Sequence, residues 1–149
     1  MRPTRSPPSA VASGFSGGRP VAKDRFHITV AFLGELTSAG LAVARAVPPL
    51  RTGAFDVVLD VAGVWPESRV LWLAPQAPPE ALGDLESGLW DALAASGFRA
   101  AERDYRPHVT LARLRDAPLH KIQEFLAAHS LFDSAAFDVT AFTLFSSHP

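Results

Sequence analysis

Residues 103–113 read RDYRPHVTLAR, and residues 25–35 read RFHITVAFLGE. Each stretch carries a His and a Thr two positions apart, inside a run that alternates apolar and polar side chains. In the earlier copy Phe26, Ile28, Val30 and Phe32 fall on one face of an extended chain, and Arg25, His27, Thr29 and Ala31 on the other. The pattern predicts a β-strand with one core face and one polar face. His27 and Thr29 sit on the polar face, and His108 and Thr110 stand in the same relation in the later copy.

Outward from these stretches the sequence repeats itself. AFDV at 54–57 recurs at 136–139, an offset that matches the separation of His27 from His108 to within one residue. One predicted helix lies between each motif and its AFDV. The first is TSAGLAVARAV (37–47), capped by Thr37 or Ser38 and stopped before Pro48, and the second is LHKIQEFLAAH (119–129). Strand, helix, strand is therefore written twice, in half-repeats spanning about residues 25–66 and 106–149. Two halves related by a pseudo-two-fold axis would bring the His-x-Thr strands together. AFDVVLDV (54–61), with Phe55, Val57, Leu59 and Val61 on one face, RVLWLAP (69–75) and AFDVTAFTLF (136–145) read as further strands. Residues 78–97 place Leu82, Leu85, Leu89 and Leu93 on one helical stripe, with Pro79 and Glu80 at its start and Gly97 past its end.

In the later half a strand and a long helix precede the motif. In the earlier half only residues 1–22 do, and their Pro, Gly and Ser content predicts a flexible tail that buries too little apolar surface to offset its ordering entropy. The repeat thus predicts a shortened architecture lacking an N-terminal strand and helix and a C-terminal strand. Residues 23–149 are expected to form one domain.

Composition narrows the function classes. With 149 residues, 48% of them hydrophobic, one core is expected, burying roughly two-thirds of the unfolded surface. A net charge of -1 gives no overall basic field for holding long nucleic acid. The absence of cysteine excludes disulfides, thiolate chemistry and Cys-based zinc sites. No apolar run reaches the length of a membrane span, and residues 1–20 lack the apolar centre of a secretory signal. A cytoplasmic protein acting as a monomer is expected.

Residues i and i+2 of a strand share a face roughly 6.5–7 Å apart, so His and Thr in that register can address one bound group. Two such strands side by side would set two imidazoles and two hydroxyls around one small anion. For phosphodiester cleavage that set suffices: one imidazole takes a proton from the nucleophile, the other gives one to the leaving oxygen, and the hydroxyls donate to the equatorial oxygens. Histidine fits both roles because its ordinary pKa of about 6.5 lies near neutrality. Neither a metal nor a cofactor is required. Around the second motif stand Arg99, Arg103, Arg106, Arg113 and Arg115, available as a phosphate clamp or as partners of Glu102, Asp104 and Asp116. Arg113 is favoured for substrate binding because the strand carrying His108 delivers it nearby, and Arg106 comes next. Tyr105, in a polar loop, is the candidate for stacking on a base, whereas Phe32 and Trp72 are assigned to core packing. His120, His129 and His148 are read as surface residues.

HITVAFLGE and RPHVTLAR resemble the signature segments of the 2H phosphoesterases, specifically the RNA 2',3'-cyclic phosphodiesterases, also called the 2'-5' RNA ligase family. The likeness covers about residues 25–146. It implies a bilobal α+β fold of antiparallel sheets with outer helices and a central cleft. It also implies metal-independent opening of 2',3'-cyclic phosphates to 2'-phosphates on RNA termini or small cyclic nucleotides, with 2'-5' ligation of certain tRNA halves. Carried onto this chain, it assigns His27 and Thr29, His108 and Thr110 to catalysis, with His27 as general acid and His108 as general base, and places an Arg at position 113. A binding module of the same fold without turnover is the competing expectation. A hydrolase using His27 and His108 as metal ligands would lack a nearby carboxylate.

Overall fold

Alternating apolar residues build the strands of this molecule, and one leucine stripe builds its longest helix. The computed structural model describes Pro8, residues 17–129 and residues 136–146. In chain order the elements are β1 (Gly18–Pro20), a 3-10 turn (Lys23–Arg25), α1 (Ser38–Arg45), β2 (Phe55–Val57), β3 (Val61–Trp65) and β4 (Val70–Ala74). There follow α2 (Glu80–Ala95), β5 (Val109–Leu114), α3 (Leu119–Ala128) and β6 (Phe137–Val139). The class is α+β.

The chain divides into two interleaved units. The first draws on Met1–Thr29, Val57–Ala77 and Pro107–Phe137. Its centre is a four-stranded antiparallel sheet in the order β1-β5-β4-β3. Leu71, Leu73, Val109, Leu111 and Ala112 are buried there, and α3 packs beside β3 with Phe125 buried. Alternation in residues 57–60 holds as well, since Val57 and Leu59 are buried while Val58 is exposed.

The second unit draws on Val30–Asp56, Pro78–Arg106 and Asp138–Pro149. In it Thr37 caps α1, its hydroxyl accepting the Gly40 N–H at 3.1 Å. The stripe of α2 is the unit's core, with Leu82, Leu85, Leu89 and Leu93 all buried. That helix ends where the sequence supplies a residue able to turn left-handed: Gly97 has φ +92°, and the Phe98 N–H donates back to the Leu93 carbonyl at 3.0 Å. β2 and β6 pair as a two-stranded sheet. These are the two copies of Phe-Asp-Val, so the repeat-related segments pair with each other.

Three expectations change. Gly18–Pro20, assigned by composition to a tail, form β1 against β5, so a strand does precede the first motif. The alternating run 25–33 does not extend into a ladder; it meets the sheet at one bridge, Ile28 opposite Val109. Beyond it Phe32, expected in the core, is 72% exposed. The strand expected over 136–145 is limited to Phe137–Val139, and Phe142, Leu144 and Phe145 are exposed. His148 lies outside the described residues. Among the described residues no helix is long and apolar enough to cross a membrane.

Candidate active site

The bridge between Ile28 and Val109 is antiparallel. That sense sets His27 across from Thr110 and Thr29 across from His108. Ile28 and Val109 turn to the buried side, so the four flanking side chains share the opposite face, with directly opposed Cβ atoms about 4.5–5.5 Å apart. His27 and Thr29 are exposed, His108 and Thr110 half-buried. Both motifs lie within the first unit, and the structure brings them side by side.

Each imidazole is oriented by a distinct neighbour. At His27, Nδ1 lies 2.8 Å from the Arg25 carbonyl. A carbonyl can only accept, so Nδ1 carries a proton and Nε2 is the atom whose protonation changes. The short 3-10 turn at Lys23–Arg25 places that carbonyl. At His108 the ring stands edge-on to Trp65, with centroids 4.4 Å apart and planes at 79°. Trp65 in turn packs on Trp72 at 5.4 Å. The indoles come from β3 and β4, so a rigid sheet buttresses the His108 ring.

A bulge decides what else joins this face. In the β4–β5 register Leu71 opposes Ala112 and Trp72 opposes Thr110, which leaves Leu111 unopposed by β4. Three residues separate Thr110 from Arg113, an odd offset that in a regular strand would send Arg113 to the other face. The extra residue restores parity. Val70 opposes Arg113 and shares a face with Trp72, so Arg113 returns to the side of Thr110 and His108. On the other flank of β5, Arg19 opposes Arg113.

Arg106 and Tyr105 belong to the second unit, in the segment that leads into Pro107. Arg106 is exposed, whereas Tyr105 is half-buried with its hydroxyl shielded from solvent and unpaired among the described residues. Burial, reinforced by the nearby Glu86 carboxylate, pushes its pKa up from 10.0 to about 12. The neutral phenol is thus favoured in the fold. The stability it contributes is complete below pH 10 and is lost as pH rises from 10 towards 12. Tyr105→Phe is expected to flatten thermal stability across that alkaline window and to cost nothing at neutral pH, as melting curves will register. Asp116, expected as a partner for the motif arginines, lies 4.0 Å from Arg69, whose guanidinium also donates to the Arg115 carbonyl. His120 is exposed, and His129 closes α3 with its Nδ1 2.8 Å from the Phe125 carbonyl. Among the described residues no three His, Asp or Glu side chains cluster at metal-binding range.

Sequence reasoning did not single out Trp65 as a neighbour of His108 or Arg19 as a neighbour of Arg113. The signal for Trp65 is its alternate position in β3, in register with a strand paired to the motif. Arg19 offers only the constraint of its flanking Gly and Pro.

Comparison with known proteins follows the same lines. A family model described as 2'-5' RNA ligase superfamily matches residues 8–149. Over 147 residues the chain is 37% identical to the RNA 2',3'-cyclic phosphodiesterase of Escherichia coli strain K12, covering 98% of this chain and 76% of that protein. A protein of the same name from Aeropyrum pernix is 28% identical over 103 residues, covering 66% of this chain and 58% of that one. Among solved structures, E. coli LigT complexed with 3'-AMP superposes with a TM-score of 0.64 at 31% identity, covering 91% of this chain and 80% of that chain. The apo form of LigT gives a TM-score of 0.66 at 28% identity, with the same coverage.

Proposed function

The chain belongs to the 2'-5' RNA ligase superfamily, and from that premise we propose that it is a metal-independent RNA 2',3'-cyclic phosphodiesterase acting on RNA termini or small cyclic nucleotides. The observation that carries the reading is the antiparallel bridge of Ile28 with Val109, which puts two imidazoles and two hydroxyls on one face. E. coli LigT, whose fold this chain shares, has been crystallised with 3'-AMP, ATP and NADP+, and a nucleotide substrate fits that company.

The steps follow from the groups. Thr29 and Thr110 donate hydrogen bonds to the equatorial oxygens of the cyclic phosphate, and Arg113 balances the charge that builds there. His108, neutral and steadied by Trp65, takes a proton from water as the water oxygen bonds to phosphorus. The bond from phosphorus to O3' breaks, and His27 delivers its Nε2 proton to that oxygen. A 2'-phosphate and a 3'-hydroxyl remain, with His108 protonated and His27 neutral until solvent resets both. A 5'-hydroxyl in place of water would yield a 2'-5' linkage by the same transfers. Work as a monomer in the cytoplasm is part of the proposal.

The test is hydrolysis of a nucleoside 2',3'-cyclic phosphate in excess chelator, followed by phosphorus NMR. Undiminished turnover to the 2'-phosphate alone is expected. A 3'-phosphate product, or activity abolished by chelator, would overturn the mechanism. Binding without turnover would make the protein a nucleotide-binding module.

A further inference from the structure

β1 is three residues long, and its composition is narrowly fitted to one outcome. Gly18 must be glycine where it stands, because a Cβ there would lie 2.6 Å from the Arg113 carbonyl oxygen. Pro20 has no N–H to continue the ladder, and Val21 then donates to the Leu111 carbonyl at 2.8 Å. Gly18 and Pro20 oppose Leu114 and Ala112, both buried. Only Arg19 is left on the face of the motifs, opposite Arg113.

Two guanidiniums directly opposite each other repel, and on a sheet face such a pair is destabilising unless an anion lies between them. Among the described residues neither arginine has a carboxylate partner. Both are exposed. Arg113 opposes Val70 while Thr110 opposes Trp72, so the arginine pair lies two strand residues, roughly 6.6 Å, beyond the Thr110 rung. The face is then a ladder of three rungs: Thr29 with His108, His27 with Thr110, Arg19 with Arg113. With Arg113 serving the cyclic phosphate held at the first two rungs, Arg19 is the cation left over, and a second phosphate beside it would share Arg113.

We infer that Arg19, paired with Arg113, forms a second anion subsite that takes the 5'-phosphate of the terminal nucleotide. This rests on the cyclic phosphodiesterase reading for the first phosphate, and it narrows the substrate class to RNA ends in which a phosphate precedes the terminal ribose. A guanidinium pair grips a phosphate in a planar, two-toothed fashion that a lysine does not reproduce.

Equilibrium binding separates this subsite from turnover. Adenosine 2',5'-bisphosphate is titrated against adenosine 2'-monophosphate, with the wild-type protein and with Arg19→Gln. The bisphosphate is expected to bind about tenfold more tightly to the wild type, and the ratio to fall to about one in Arg19→Gln, only partly recovering in Arg19→Lys. Equal affinity of the two nucleotides for the wild type, or a ratio indifferent to Arg19→Gln in a variant with unchanged melting temperature, would overturn the inference. Failure of the phosphodiesterase reading would appear instead as absent hydrolysis by the wild type, a measurement that does not enter the ratio.

Discussion

Turnover of a 2',3'-cyclic nucleotide is expected to fall by about 10²–10⁴-fold in His27→Ala and in His108→Ala, with KM moving far less, because each substitution removes a proton transfer made only in the transition state. The double variant should lose little more than the worse single one, since an acid and a base that act on opposite sides of one phosphorus work as a unit. The pH profile then assigns the roles. A base must be deprotonated, so the rate rises with pH along the acidic limb, and His108→Ala should erase that limb. An acid must be protonated, so the rate falls along the basic limb, and His27→Ala should erase that one. The 2.8 Å contact of His27 Nδ1 with the Arg25 carbonyl anchors the ring with Nε2 as the atom left for the proposed acid role. Loss of the same limb in both variants, or losses below tenfold, would remove the two-imidazole mechanism.

Local patterns in this chain were readable, and long-range ones only where the internal repeat exposed them. The stripe of α2 needed only a 3.6-residue period, and all four of its leucines are buried. Adjacency of the His-x-Thr segments was readable for a different reason: the repeat with AFDV implied a pseudo-dyad, and both repeat-related pairs do pair, at Ile28–Val109 and at β2–β6. Phe32 shows where periodicity stops being informative. It continues an alternation that is real as far as Val30, but a strand is defined by its partner, and pairing beyond Ile28 is not written in residues 30–33. β1 fails in the opposite sense, since Gly-Arg-Pro has the composition of coil and is ordered by strand-mates far along the chain. Arg113 reached the candidate set through proximity and resemblance, yet simple strand parity argued against it. Only the unopposed Leu111 reconciles the two, and no residue type announces a bulge at that position. The half-burial of Tyr105 was not legible from its neighbours, because Asp104 and Arg106 say nothing about where the phenol between them packs.

Gly63→Val is the substitution expected to cost most in the scaffold. Gly63 lies in β3 opposite Trp72, and the indole lies directly over it: an added Cβ would sit 2.5 Å from Cη2 and 2.7 Å from Cε2. Real Cβ atoms do not approach that closely, so the ring must move, and an aromatic wedged between strands cannot retreat like the end of a lysine. Overpacking of this kind costs about 1–3 kcal/mol, occasionally more. The damage is also directional. Trp72 supports Trp65, and Trp65 holds the edge of His108, so a displaced indole reaches the proposed base through two contacts. These contacts predict a positioning role for Trp65 and Trp72, whose signature is a fall in kcat that exceeds any rise in KM, together with a shifted acidic limb in the pH profile. Gly83 supplies the contrast. It lies in α2 with nothing within 4 Å of its would-be Cβ, and Gly83→Ala should gain roughly 0.5–1 kcal/mol from helix propensity while leaving the limb where it was. If Gly63→Val melts like the wild type, the indole is not held against β3. If it melts lower but keeps its kcat and pH profile, the aromatic stack supports the sheet without orienting His108.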